Sequence, residues 1–128
     1  MSKLKALVAA EGITLGYKKN LGGADGVSNK GDIQLLEGMT SAREFSVLVH
    51  ELAHELLHKD PERRAQTSKT IRETEAEAVA FVVCRGIGLE TVSQHSDYIQ
   101  LYRGSVATLT ASLDAIRETS TRILRAVQ

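Results

Sequence analysis

The nonapeptide His-Glu-Leu-Ala-His-Glu-Leu-Leu-His at residues 50–58 carries the clearest chemistry in the chain. It contains His50-Glu51-x-x-His54, the spacing of zinc hydrolases. On a helix, side chains four apart lie one turn above each other, so His50 and His54 can offer two imidazole nitrogens to one ion. Glu51 lies about 100° round the helix from His50, within reach of a water held there. Two nitrogens and one further ligand leave a Zn²⁺ site open for that water, and a carboxylate can take its proton. An overlapping copy, His54-Glu55-x-x-His58, offers the same chemistry in a second register.

The helix that must hold these residues separates the registers. With His50 at zero on a helical wheel, His54 falls at about 40° and His58 at about 80°. Phe45, Leu48, Val49, Leu52 and Leu56 fall on the opposite side, a face for anchoring to a core. Glu51 lies beside the histidine arc, whereas Glu55 turns towards the anchored side. Lys59, Asp60 and Pro61 follow His58, where a helix frays and holds ligands loosely. The favoured register is therefore His50 and His54 as ligands with Glu51 as the base. His58 is expected to line the cleft mouth or cap the helix end.

A third protein ligand is needed. No Gly turn followed by a further His succeeds His54, and His95 has no local motif. The run Arg72-Glu73-Thr74-Glu75-Ala76-Glu77 opens another helix and leads into the apolar stretch Ala78 to Cys84. Glu77 reads as its deepest acid, and a carboxylate buried beside Ala80 and Phe81 is costly unless paired or bound to a cation. A salt bridge to Arg43 or Arg63 is the alternative use of Glu77. Glu75 is the alternative ligand, and Glu73 could accept from the outer nitrogen of a ligating histidine. Cys84 reads as a buried small hydrophobe.

The positioning elements follow from periodicity and punctuation. A helix is expected over residues 2–10, a strand over 13–17, a glycine-rich loop over 20–31 and a second strand over 32–39. Thr40 or Ser41 could cap the histidine helix, expected over 42–59, with Pro61 beyond its end. Further helices are expected over 67–85, 93–102 and 105–127. In the last, Val106, Leu109, Leu113, Ile116, Ile123, Leu124 and Val127 form a stripe suited to core packing. The reading is one mostly helical α+β domain, residues 1–128, with a small sheet around a central His-Glu-x-x-His helix.

Composition narrows the setting. The chain has 128 residues, 16 basic and 16 acidic side chains, and 42% apolar residues. Zero formal charge argues against direct nucleic-acid binding by this domain. A single cysteine favours a reducing compartment, taken as the cytoplasm. No apolar run is long enough to span a membrane. The N-terminal residues read as a short helix rather than a leader.

The segment Val47 to His58, followed by Glu75-Ala-Glu-Ala-Val-Ala-Phe-Val-Val-Cys84, resembles the ImmA/IrrE-type zinc metallopeptidases, most closely the metallopeptidase domain of ArdC-type antirestriction proteins. The resemblance extends to Gly-Gly-Ala-Asp-Gly at 22–26, to the 32–36 strand and to His95-Ser-Asp-Tyr98-Ile99. It implies a zincin-like fold, Zn²⁺ as cofactor and a Glu-Ala-x-x-Phe helix whose glutamate is the third ligand. Glu77 takes that place, since Phe81 falls four residues later. It implies a peptidase-like domain without the single-stranded-DNA-binding or helix-turn-helix domains that accompany such proteins.

The expected activity is zinc-dependent hydrolysis of a peptide bond in a protein or peptide substrate. Glu51 acts as base, and His95, Tyr98 or Tyr102 donates to the oxyanion. The 32–36 strand is expected to offer its edge to an extended substrate. The rival reading is a regulatory or binding module that keeps the fold and metal but cleaves little, docking a repressor or restriction subunit.

Overall fold

The apolar arc opposite the histidines is buried, with only Leu56 partly so, and that burial organises the chain. In the computed structural model, which describes residues 1–89 and 106–128, the histidine helix α2 spans Ser41–Leu57 and its main partner α4 spans Lys69–Gly86. Leu48, Val49, Leu52 and Ala53 share the core with Ala76, Val79, Ala80 and Val83, all at or near zero exposure. Thr40 is the N-cap of α2, its hydroxyl accepting from the Arg43 amide at 3.2 Å. Ser68 caps α4 in the same way through the Ile71 amide at 3.1 Å.

A three-stranded sheet lies beside α2. Its strands are β1 (Thr14–Lys18), β2 (Gly26–Asn29) and β3 (Asp32–Leu36), in the order β1-β3-β2. β1 pairs parallel to β3, and β2 pairs antiparallel to it, with Asn29 opposite Asp32. The two-residue turn uses Lys30 and Gly31, both left-handed at φ 44° and 87°, as a primed hairpin turn requires. β2 thus falls within the stretch expected to be loop. β3 is the central strand, bonded on both sides, so the expectation that residues 32–36 offer an edge to substrate is corrected: among the described residues the edge strand beside α2 is β2.

The remaining helices frame this pair. α1 (Ser2–Ala10) buries Leu4 and Val8. α3 (Pro61–Gln66) begins where the sequence suggested only a stop: Pro61 occupies its first turn and Asp60 caps it through the Glu62 amide at 3.2 Å. α5 (Val106–Val127) packs against α4 and α1 through a face that includes Ile116 and Ile123. Two of its expected core positions, Val106 and Leu113, are exposed instead. The architecture is the expected mostly helical α+β arrangement with a small sheet. Among the described residues no helix is long and apolar enough to cross a membrane. The helix expected over 93–102, with His95 and Tyr98, lies outside the described residues.

Candidate metal centre

His50 and His54 stand one turn apart on the face of α2 that looks away from the core, with side chains 19% and 16% exposed. Facing them, α4 presents Glu73 and Glu77, also one turn apart. His50 Nε2 lies 3.0 Å from Glu73 Oε2, and His54 Nε2 lies 3.2 Å from Glu73 Oε1. On its other side, His50 Nδ1 lies 3.1 Å from Glu77 Oε2. One ligand atom each from His50, His54 and Glu73 falls within 4.8 Å of the others.

That donor set suits a zinc ion. Two imidazole nitrogens and a carboxylate oxygen from two packed helices match the ligand types of an open, three-protein-ligand site. The outer contact of His50 supplies the orientation such ligands need. With the Glu77 carboxylate as acceptor, Nδ1 of His50 donates and its Nε2 faces Glu73 across the cleft.

The electrostatics describe the same cluster with a proton in place of a metal. Burial lowers the pKa of His50, but hydrogen bonds to Glu73 and Glu77 outweigh it and carry it to about 9. Glu73, hydrogen-bonded to His50 and His54, is held well below the usual carboxylate range. A protonated His50 must release its proton to act as a ligand. Because the raised pKa favours the charged form up to about 9, metal affinity should rise by about tenfold per pH unit between about pH 6.5 and 8.5. Titration with zinc in a metal buffer across that range measures this, and a flat profile contradicts it.

Glu51 is 8% exposed, and burial raises its pKa while the charges of His50 and His54 oppose the rise. A raised carboxylate is better matched to proton transfer near neutrality. β2 approaches it closely because residue 26 is glycine: a Cβ there would stand 2.7 Å from Val47 Cγ1 and 3.1 Å from Glu51 Cγ. Strand, Glu51 and histidines line one cleft of about 750 Å³ that runs along Gly26, Val27, Ser28 and Asn29.

The second register is occupied by structure. Glu55 accepts from Ser28 Oγ at 2.5 Å and from the Gly31 amide at 2.6 Å, which staples α2 to the β2–β3 hairpin. His58 is 2% exposed and reaches Glu75 rather than the cleft mouth. Its backbone nevertheless sits at the C-cap of α2.

Glu75, not Glu77, is the deepest acid of α4: its side chain is 0% exposed against 30% for Glu77. The expected burial of Glu77 beside Phe81 is not found, because Phe81 points outward at 41% exposure. Arg63 pairs with Glu75 and Arg43 with Asp25. The bonds of Glu55 to the hairpin and the His58–Glu75 contact escaped sequence reading. The available signal was His58 continuing the four-residue spacing of His50 and His54. Cys84 is fully buried, with its thiol pushed up chiefly by burial.

The family described as Peptidase_M78, IrrE N-terminal-like domain, matches residues 4–100, which include the whole of α2 and α4. No curated protein and no solved structure matches the chain.

Proposed function

The chain belongs to the Peptidase_M78 family of IrrE N-terminal-like domains, and from that membership we propose a zinc-dependent peptidase centred on His50, His54 and Glu51. The family indicates a metallopeptidase-type hydrolase with a metal and a protein substrate. The observation that carries the finer reading is the convergence of His50, His54 and Glu73 beside a buried Glu51 in one cleft. Within the family we place the chain nearest the ArdC-type metallopeptidases, on the segments 47–58 and 75–84. Its lone buried cysteine supports a cytoplasmic setting.

Geometry favours Glu73 as the third ligand, with Glu77 fixing the ring of His50. This exchanges the roles that the family resemblance suggests for the two acids, and Glu77 as ligand is the competing assignment. Zinc, when bound, supplies the positive charge that acidifies a water and polarises a peptide carbonyl. Glu51 takes a proton from the attacking water and passes one to the leaving nitrogen. β2, an edge strand among the described residues, offers backbone groups to an extended peptide. His95 or Tyr98 donates to the developing oxyanion.

The cleft also carries a sign. Lys30, Lys59, Arg64, Lys69 and Arg72 line it, in a chain of zero formal charge. Two of its three acids, Glu55 and Glu73, already bind the hairpin and the histidines. Substrates with acidic side chains near the scissile bond should therefore be preferred. The test is cleavage of a peptide library by zinc-loaded protein. Expected are cuts enriched in neighbouring Asp or Glu, stopped by a chelator and restored by zinc. No cleavage across the library would favour the binding-module reading.

A further inference from the structure

A hydrogen-bonded chain runs inward from the second histidine. His54 Nδ1 lies 2.8 Å from His58 Nδ1, and His58 Nε2 lies 2.8 Å from Glu75 Oε1. Arg63 holds the other oxygen of Glu75, and Ser112 of α5 also hydrogen-bonds that carboxylate. The side chains of His58 and Glu75 are 1% and 0% exposed, so neither can touch a substrate.

We propose that His58 is a positioning residue which, backed by Glu75, locks His54 in the tautomer whose Nε2 is free to bind the metal. The inference rests on the ligand assignment proposed above.

Two ring nitrogens 2.8 Å apart share one proton: if both lacked it their lone pairs would repel, and if both carried it their hydrogens would collide. Glu75, ion-paired with Arg63, accepts only, so the proton between it and His58 rides on His58 Nε2. His54 can ligate through Nε2 only if that nitrogen carries no proton, which puts its proton on Nδ1. His58 Nδ1 must then accept it. With a metal ion between His54 Nε2 and Glu73 Oε1, which lie 3.2 Å apart, this arrangement satisfies every group in the chain. Reversing the His54–His58 bond puts the proton of a neutral His54 on Nε2, where it blocks the metal.

The two ligands are thus oriented by different means. His50 leans on Glu77, a partly exposed carboxylate, and His54 on a buried imidazole fixed from behind. Outer partners of this kind are typically worth ~10–100-fold in metal affinity. Ser112 adds a point of its own: it brings α5, which follows the family-matched residues 4–100, into the support of the metal site.

The test compares zinc affinity, by competition with a chromogenic chelator, in parent, His58→Leu, His58→Asn and His54→Ala proteins. His58→Leu leaves Glu75 paired with Arg63 and removes the acceptor, so Kd should rise ~10–100-fold. His58→Asn, whose amide oxygen can stand where Nδ1 stood, should recover part of the loss. A folded His58→Leu protein within twofold of the parent overturns the proposal. The tautomer is read directly in the parent, whatever the variants' folding, from long-range ¹H–¹⁵N correlations of His54. A proton on Nδ1 in the zinc-loaded protein, with His58 protonated on Nε2 alone, is expected; a proton on His58 Nδ1 overturns the proposal. Undiminished metal in His54→Ala overturns the ligand assignment itself, a failure separate from that of the His58 contact.

Discussion

A Glu51→Gln protein should bind zinc as tightly as the parent and lose peptide hydrolysis by ~10²–10⁴-fold, the range for removing a positioned general base. The side chains are nearly the same size, which matters here. Glu51 is 8% exposed and packed beneath Gly26, so a larger change would disturb β2 and the cleft wall as well as the chemistry. Glutamine keeps the shape and cannot take the proton. Its amide also avoids the cost of burying a charge. Metal content and thermal stability serve as controls, because Glu51 is not among the three converging donors. Hydrolysis at the parent rate would remove Glu51 from the mechanism.

The second large effect separates the two acids of α4. Glu73 approaches the Nε2 atoms of both histidines, whereas Glu77 approaches only Nδ1 of His50. Removing a ligand should cost more than removing the partner that orients one. Glu73→Ala is expected to weaken zinc binding by more than ~100-fold, the upper end for outer partners, and Glu77→Ala by ~10–100-fold. Both positions are partly exposed, at 51% and 30%, so the fold should tolerate both changes. Competition titrations on the two proteins decide the roles. The reverse order would make Glu77 the ligand and Glu73 the orienting group.

The ease of reading these elements from sequence follows their regularity. α2 and α4 are long, and burial on one side of α2 writes an apolar stripe that leaves the histidine arc visible. β2 is four residues among glycines and polar residues, so its strand character comes from pairing with β3 rather than from its own propensity. Pro61 marks both an end and a beginning, and only the hydrogen bond that Asp60 accepts from the Glu62 amide shows the latter. The depth of an acid on α4 depends on which sides are packed. Glu75 faces inward because α2, α5 and Arg63 surround it, and no wheel drawn for one helix contains that information. Glu55 carries the same lesson: its sequence position fits a catalytic base, and its partners Ser28 and Gly31 make it a structural one.

An X-ray anomalous difference map, recorded from zinc-soaked crystals on either side of the zinc absorption edge, tests the metal centre most directly. One peak bonded to His50 Nε2, His54 Nε2 and a Glu73 oxygen is the expected result, with Glu51 beside its open side. A peak elsewhere, or one that engages His58 in place of His50, would contradict the site on which the proposed hydrolysis depends.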